Sequence, residues 1–268
     1  YLVSAIFRPS QAFFRPLGKS YRRLLTYFTH IFVQDEASAA LLAKYNIHNV
    51  SVTGDTRFDR VEAISQQAKE IRNIALYMGA SNIRTIHREP LRTIVAGSTW
   101  PKDEELLARY VRTHEDVRLI LVPHEIDEAH LHRIFCIFDG RMIRYTQATP
   151  MNMSHVRTMV VDAMGLLSSI YRYADIAYVG GGFGVGIHNT IEAAVYGIPV
   201  VFGPNYHNFR EAHGLINCGA GIAVSDYNTL EAALDDAFAA RQPKGKQARE
   251  YVESELGTTE RIYSRIFE

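Results

Sequence analysis

The regular alternation of short apolar segments with helix-like segments most constrains how this chain can fold. Apolar runs such as IVAG at 94–97, LILV at 119–122 and VVFG at 200–203 are separated by longer stretches with helical patterning. Strands that alternate with helices build parallel sheets from βαβ units. The sequence therefore predicts an α/β protein with parallel sheets.

The pattern falls into two series, separated by a polar segment with Gly and Pro at residues 79–92. We therefore expect two domains, at residues 1–84 and 85–268, with terminal helices that could pack back on the first domain. Because the chain opens inside an apparent buried strand at Tyr1, earlier elements of the first domain are expected in a longer protein. Two long helices are predicted in the first series, from about Gln11 to Phe28 and from about Phe58 to Met78.

Composition narrows the classes of partner. Lys plus Arg and Asp plus Glu both total 29, so the formal charge is zero, which argues against nucleic acid as the main partner. Cys136 and Cys218 lack the spacing of a zinc site and are expected to be free thiols. No apolar run approaches the roughly 20 residues of a membrane-spanning helix, so the chain itself is expected to be soluble.

A Gly-rich segment follows the apolar run at 176–179 and precedes a predicted helix. In open parallel sheets, ligands bind where strands end and helices begin. Glycines let backbone N–H groups approach an anion closely, and a helix N-terminus favours negative charge. The segment therefore predicts a phosphate site, built on the five glycines Gly180, Gly181, Gly182, Gly184 and Gly186.

Asn189 and Glu192 stand at the start of the helix after these glycines, and their spacing allows two interpretations. They could form a capping box, in which Glu192 bonds back to the Asn189 backbone. Alternatively, the Glu192 carboxylate could accept hydrogen bonds from the vicinal hydroxyls of a ribose. The residues alone leave both open.

Three other strand-to-helix junctions contain residues suited to a ligand. Ser98 after Gly97 could bind phosphate or simply cap a helix. His124 after Pro123 is either a ligand contact or an ordinary polar loop residue. A Met at a third junction could cover a base or fill the core, whereas Trp100 is expected to pack. That third junction is Met164, Gly165 and Leu166.

The order of these motifs resembles a known family. The blocks SAIFRPSQAFF, VQDEASAALL, VTGDTRFDRV, GSTWPKDEELL, VPHEID, DAMGLL, GGGFGVGIHNTIEAA and FGPNYHNFREA look like the successive blocks of bacterial 3-deoxy-D-manno-octulosonic acid (Kdo) transferases. The resemblance implies a GT-B glycosyltransferase with two Rossmann-like domains. It also implies that residues 1–84 are the second half of the N-terminal domain, and that residues 85–268 form the C-terminal, CMP-sugar-binding domain.

The family resemblance also implies a reaction. Kdo would pass from CMP-Kdo to a lipid A precursor at the cytoplasmic face of the inner membrane, with inversion and without a metal or other cofactor. CMP would contact residues from all the junctions described above. These residues are Gly97, Ser98, Pro123, His124, Met164, Gly165, Leu166, Gly181, Gly182, Gly184, Gly186, Asn189, Thr190, Ile191 and Glu192.

The acceptor side and the catalytic base are less well defined. The resemblance implies acceptor contacts at Ser4 and Arg8. It also implies a catalytic carboxylate upstream of Tyr1, so no residue of this sequence is assigned as the general base. The chain alone is therefore expected to be inactive. Many members have Met-Gly-Glu where this chain has Leu166 as the third residue, so that Glu's contribution is absent. A basic cluster could be a solvated surface or a contact with lipid, and it comprises Arg8, Arg15, Lys19, Arg22 and Arg23.

Two other classes of function stay open. One is a non-hydrolysing sugar-nucleotide epimerase, which has a similar two-domain plan and also uses a late Glu for ribose. The other is a non-catalytic nucleotide-binding module. A product assay with a UDP-sugar would separate the epimerase from the transferase.

Overall fold

The computed structural model describes residues 1–80 and 91–268, and within them the chain forms two compact units. Unit 1 consists of residues 1–63 and 253–268, and unit 2 consists of residues 64–252. The domain boundary predicted between residues 84 and 85 lies outside the described residues, as does most of the predicted linker.

All the elements used below are defined here by their residues. The strands of the described residues are β1 (Leu2–Ala5), β2 (Ile31–Val33), β3 (Val50–Val52), β4 (Arg92–Thr99), β5 (Val117–Pro123), β6 (Ile143–Arg144), β7 (Thr158–Val160), β8 (Ile176–Val179), β9 (Val200–Phe202) and β10 (Gly221–Ala223). The α-helices are α1 (Lys19–Leu25), α2 (Glu36–Ala43), α3 (Thr56–Gln66), α4 (Arg72–Ala80), α5 (Pro101–Thr113), α6 (Glu128–Ile137), α7 (Pro150–Met153), α8 (Leu167–Ile170), α9 (Ile191–Ala194), α10 (Arg210–Asn217), α11 (Tyr227–Ala239), α12 (Arg241–Glu255) and α13 (Thr258–Phe267).

Unit 1 is built on a three-stranded parallel sheet in the order β1-β2-β3. The central strand β2 is fully buried, as expected for a strand covered on both faces. Helix α2 begins as its sequence predicts, because the Asp35 side chain caps it by accepting a hydrogen bond from the Ser38 backbone N–H at 2.7 Å. Helix α13 belongs to this unit, where the Gly257 N–H donates to Asp59 Oδ1 at 2.7 Å and Thr258 Oγ1 donates to the Thr53 carbonyl at 2.9 Å.

Unit 2 is built on a seven-stranded parallel sheet in the order β10-β9-β8-β4-β5-β7-β6. Strands β5, β8 and β9 are buried along their whole length. Apolar side chains of α5, α6 and α11 pack against the sheet in one cluster that includes Leu107, Ile134 and Leu230. The predicted α/β class with parallel sheets is therefore confirmed.

Two of the predicted helices in the first series are wrong in extent. The stretch from Gln11 to Phe28 is helical only in a short 3-10 turn and in α1, because Pro16 lacks a backbone donor and Gly18 packs closely against the Ala12 carbonyl.

The predicted helix from Phe58 to Met78 is divided into α3 and α4. The backbone groups freed at the break find partners in side chains far along the chain. Tyr173 Oη accepts a hydrogen bond from the Ile71 N–H at 3.1 Å, and Arg172 donates to the Ala68 carbonyl at 3.0 Å. These two bonds replace helical ones at the Ile71 N–H and the Ala68 carbonyl.

Among residues 1–80 and 91–268, no helix has the length and apolar character required to cross a bilayer.

Candidate functional site

The strand order of unit 2 brings the predicted ligand-binding junctions to one edge of the sheet. Strands β8, β4, β5 and β7 are neighbours, and all their pairings are parallel. Their carboxyl ends therefore share an edge. Ser98 lies at the end of β4, and His124, Gly180 and Met164 follow β5, β8 and β7. This arrangement is the usual position of ligands in open α/β sheets.

Three aromatic rings from three different segments lie against one another at this edge. The Trp100 and His124 rings are stacked, 4.8 Å apart with 22° between their planes, and the His188 ring lies 4.6 Å from His124 with its plane tilted by 34°. The Trp100 indole Nε1 donates a hydrogen bond to His188 Nε2 at 3.3 Å. We call Trp100, His124 and His188 the ring stack. It fixes the relative positions of the loops after β4, β5 and β8.

The ring stack affects the charge of His188. Burial lowers the pKa of this histidine, the neighbouring His124 lowers it further, and Asp103 opposes both effects. Because Nε2 accepts from the indole, the neutral ring must have its proton on Nδ1. Burial therefore favours the neutral form of His188, and the hydrogen bond from the indole favours its Nδ1-protonated tautomer.

Stability should fall on acidification because of His188. Its folded-state pKa lies below the ordinary value of about 6.5, so between those two values the unfolded chain binds a proton that the folded chain does not, and stability rises with pH. His188→Gln keeps an acceptor for Trp100 and removes this titration. We expect the free energy of unfolding to drop less in this variant than in the unmutated chain between about pH 7.5 and about pH 5.5.

Denaturant unfolding at the two pH values measures this effect. His132→Gln, at an exposed position on α6, is the control and should keep the full pH dependence. An equal pH dependence in the unmutated chain and in His188→Gln would contradict the prediction.

The glycines after β8 pack closely against other backbone. A Cβ on Gly180 would lie 2.6 Å from Thr99 Cα, and one on Gly182 would lie 2.5 Å from Gly203 Cα. Gly181 and Gly186 have φ of +89° and +132°, which L side chains rarely adopt. Gly184 alone among the five has open space around it, with its nearest atom, the Gly181 carbonyl oxygen, 3.8 Å away.

Most of the N–H groups in this segment have internal acceptors. Gly180 donates to the Gly97 carbonyl, Gly184 and Gly186 both donate to the Gly181 carbonyl, and Gly181 donates to Asp103 Oδ2. These four N–H groups are therefore already hydrogen-bonded inside the protein, which the sequence alone did not reveal. Their proximity to a ligand stays a prediction, because close packing alone already requires glycine at most of these positions.

The segment around Glu192 differs from a capping box. Helix α9 begins at Ile191, and Thr190 rather than Asn189 stands at its N-cap. The Asn189 side chain accepts from the Ile191 N–H at 3.1 Å and donates to Glu192 Oε1 at 3.1 Å. Glu192 is therefore held by a side-chain amide, and its half-buried carboxylate keeps a second oxygen available for a ligand.

Two tyrosines lie within electrostatic reach of Glu192. Burial raises the pKa of both Tyr171 and Tyr196, and the Glu192 carboxylate raises each further, while Arg172 opposes the effect at Tyr196. The Tyr196 hydroxyl is buried and has no hydrogen-bond partner within the described part of the chain.

Tyr171 also fills the space beside Gly97, where any side chain would collide with its hydroxyl. Gly97 is thus explained by packing.

The remaining residues that were predicted to contact CMP differ in how far they are exposed to solvent. Ser98 has φ of +52° and is half-buried, whereas Thr99 donates from its buried hydroxyl to Glu104 Oε1 at 3.1 Å. His124 is exposed and Pro123 is buried at the end of β5. In the loop after β7, Met164 is 75% exposed, Gly165 has φ of +79° and Leu166 precedes α8. Met164 therefore does not fill the core.

The two predicted acceptor-side residues lie in unit 1. Ser4 has φ of +54°, and its hydroxyl lies 3.4 Å from Asp55 Oδ1 and accepts from the Thr56 N–H at 3.2 Å. The Arg8 backbone donates to Gln11 Oε1 at 3.0 Å. In the basic cluster, Arg22 is partly used internally, since it donates to the Phe13 carbonyl at 2.7 Å.

Sequence reasoning missed two residues of this edge. Trp100 packs as expected, against His124, but His188, which accepts the hydrogen bond of its indole, was not singled out. Asp103 was not singled out either, yet its carboxylate accepts the hydrogen bond of the Gly181 N–H. Within the described ranges, no three His, Cys, Asp or Glu side chains group so that they could hold a metal ion.

Sequence comparisons point to one family. The family profile described as 3-Deoxy-D-manno-octulosonic-acid transferase (kdotransferase) matches residues 1–60. A 3-deoxy-D-manno-octulosonic acid transferase of Bordetella pertussis is 28% identical over 271 residues, covering 93% of this chain and 59% of that protein. One from Rickettsia prowazekii is 24% identical over 229 residues, covering 80% of this chain and 46% of that protein. The chain thus spans about half the length of these relatives.

Solved structures bear out the fold. The C-terminal CMP-Kdo binding domain of WaaA from Acinetobacter baumannii matches with a TM-score of 0.54 and 22% identity, covering 69% of this chain and 99% of that domain. UDP-GlcNAc 2-epimerase from Neisseria meningitidis matches with a TM-score of 0.66 and 14% identity, covering 98% of this chain and 67% of that protein. At these identities the likeness shows the fold alone, and the predicted GT-B type is confirmed. The sequence matches separately show that the chain is similar to the 3-deoxy-D-manno-octulosonic acid transferases.

Proposed function

We propose that unit 2 binds the CMP part of CMP-Kdo at the carboxyl edge of its sheet, and that the protein takes part in transferring Kdo to a lipid A precursor. The observation that supports this most is the contact between His124, from the loop after β5, and His188, from the loop after β8, with Glu192 four residues beyond His188 in α9. The chain in which they meet is similar to the Kdo transferases. The predicted contacts at Ser98 and Met164 lie at the same edge.

In this proposal each group has a distinct task. The free oxygen of the Glu192 carboxylate accepts hydrogen bonds from the ribose hydroxyls, while Asn189 holds the other oxygen. The exposed face of His124 and the Ser98 hydroxyl lie on the side where a phosphate would leave with CMP, and polar donors there stabilise the developing charge. The exposed Met164 side chain covers an apolar face of the base.

The acceptor half of the proposal rests on unit 1. Lipid A precursors are anionic, and the basic residues Arg15, Lys19 and Arg23 are exposed in and near α1. Cations near an anionic membrane surface each contribute roughly 1 kcal/mol of attraction. We propose that this surface meets the acceptor at the cytoplasmic face of the inner membrane, with Ser4 and Arg8 nearer the reacting hydroxyl. The general base that deprotonates this hydroxyl is not assigned to a residue.

A binding experiment tests the donor half. Trp100 is the single tryptophan of the chain and belongs to the ring stack, so its emission should change when a nucleotide binds beside it. We expect CMP to bind, to change this emission and to release or absorb heat in calorimetry, and we expect UDP to bind more weakly. The affinity should be modest, because an open half-cleft leaves part of the ligand in water.

The competing outcomes are distinct. No heat and no change of emission with millimolar CMP, from a sample shown to be folded by circular dichroism, would overturn the proposal. Tighter binding of UDP than of CMP would favour the epimerase alternative.

A further inference from the structure

The buried carboxylate of Asp103 holds together three segments at the carboxyl edge of the unit 2 sheet. Its Oδ1 accepts a hydrogen bond from Tyr178 Oη at 2.6 Å. Its Oδ2 accepts from the backbone N–H groups of Trp100 and Gly181, both at 2.9 Å. Asp103 has no exposed surface, so water does not compete for these bonds.

Each of the three groups that donate a hydrogen bond to Asp103 belongs to a segment of the candidate CMP-sugar site. Trp100 provides the indole of the ring stack, Gly181 belongs to the Gly-rich segment, and Tyr178 lies in β8 directly before that segment. A Cβ on Gly180 would lie only 2.9 Å from Asp103 Oδ2, so the two loops close tightly around the carboxylate. Asp103 therefore bridges the Trp100 loop and the Gly-rich segment.

The energetics of Asp103 depend on these same donors. Burial raises the pKa of Asp103 above its ordinary value, and the hydrogen bonds from Tyr178, Gly181 and Trp100 oppose part of this shift. Hydrogen bonds to an ionised acceptor are roughly twice as strong as neutral ones. Removing the acceptor would leave the buried Gly181 N–H and the partly buried Trp100 N–H without a partner, which is unfavourable unless the loops separate.

We propose that Asp103 is a positioning residue of the donor site: it sets the spacing of the two loops so that the ring stack and Glu192 can meet one nucleotide. This inference rests on the proposed function of unit 2, because positioning is expressed as CMP affinity. A negative charge at a helix N-terminus is favourable wherever its side chain points. The role proposed for Asp103 requires in addition that its carboxylate bond to the Gly-rich segment.

The test compares three variants at a temperature well below their melting temperatures. Asp103→Leu removes the acceptor at similar size, and CMP affinity should fall more than about tenfold. Asp103→Asn keeps an oxygen for the two N–H groups and can turn its amide toward the Tyr178 oxygen, so affinity should stay within about threefold. Tyr178→Phe removes one bond and should weaken CMP binding by about three- to tenfold.

A matched control is available on the same unit. Tyr110 Oη donates to Asp235 Oδ1 at 2.7 Å, a tyrosine–carboxylate pair on α5 and α11 in which Asp235 is exposed. Tyr110→Phe should leave CMP affinity unchanged and should lower stability less than Tyr178→Phe, because water can replace the lost bond at Asp235. Loss of positioning should also appear as faster amide exchange of Gly181 and Trp100 in Asp103→Leu, with the amides of β5 unaffected.

The outcomes separate this inference from the proposed function. A folded Asp103→Leu that binds CMP as well as the unmutated chain overturns the inference. If Asp103→Leu does not fold, equal CMP affinities of Tyr178→Phe and Tyr110→Phe overturn it. If the unmutated chain itself does not bind CMP, the proposed function fails. Amide exchange at Gly181 and Trp100 then decides the role of Asp103. It is measured in Asp103→Leu if this variant folds. If it does not fold, the exchange rates in Tyr178→Phe are compared with those in Tyr110→Phe.

Discussion

Replacing Glu192 by Gln is expected to weaken CMP binding by about 1.5–3 kcal/mol, the usual scale for a hydrogen bond to a charged group. This corresponds to a fall in affinity of roughly tenfold to a hundredfold. The stability of the variant should scarcely change, because Gln can still accept from the Asn189 amide, and α9 does not use Glu192 as a cap. CMP affinity and melting temperature are measured on the same samples.

A ligand change makes this experiment sharper. If Glu192 binds the ribose hydroxyls, 2′-deoxy-CMP should bind the unmutated chain more weakly than CMP, and this difference should largely disappear in Glu192→Gln. Glu231→Gln is the matched control, because Glu231 is also half-buried and accepts one side-chain bond, from Tyr227 Oη at 2.8 Å. Unchanged affinity in Glu192→Gln together with equal binding of the two nucleotides would contradict the ribose assignment.

Replacing Gly182 by Ala is expected to destabilise unit 2 by about 1–3 kcal/mol, or more, because the added Cβ would meet backbone rather than a movable side chain. It would lie 2.5 Å from Gly203 Cα and 2.7 Å from both Gly203 N and Gly203 C. Relief requires the loops after β8 and β9 to separate. For a unit of this size the melting temperature should fall by roughly 2–12 °C, which calorimetry can measure.

Gly184→Ala is the matched control two residues away. Gly184 is exposed, and the nearest atom to an added Cβ is 3.8 Å away. Its replacement should change stability by less than about 0.5 kcal/mol. Similar melting temperatures for the two variants would mean that the close approach of Gly182 and Gly203 does not constrain the fold.

The alternation of apolar and helical segments was enough to predict the α/β class, because the spacing of apolar residues within each segment depends directly on its secondary structure. The same reasoning failed at the break between α3 and α4. That break depends on Tyr173 accepting from Ile71 and Arg172 donating to Ala68, residues about a hundred positions apart in sequence. Local patterning contains no information about such partners.

The candidate site was predictable in its location and not in its internal contacts. Strand ends could be identified from the sequence, so the junctions at Ser98, His124 and Glu192 were expected to converge. The ring stack could not be expected, because Trp100 and His188 are neighbours only when β8 pairs with β4. The glycines were predicted to bind a ligand because the sequence does not show another reason for them. The close packing of Gly182 against Gly203 is seen only in the structure.

The membership of α13 in unit 1 has a consequence for the order of folding. The hydrogen bonds of Gly257 with Asp59 and of Thr258 with Thr53 join residues 198 and 205 positions apart. Ribosomes add about 5–20 residues per second, so residues 64–252 take roughly 10–40 s to be made. During that time Asp59 and the Thr53 carbonyl lack these partners. Unit 2, which is continuous in sequence, can therefore fold before unit 1 acquires its last helix.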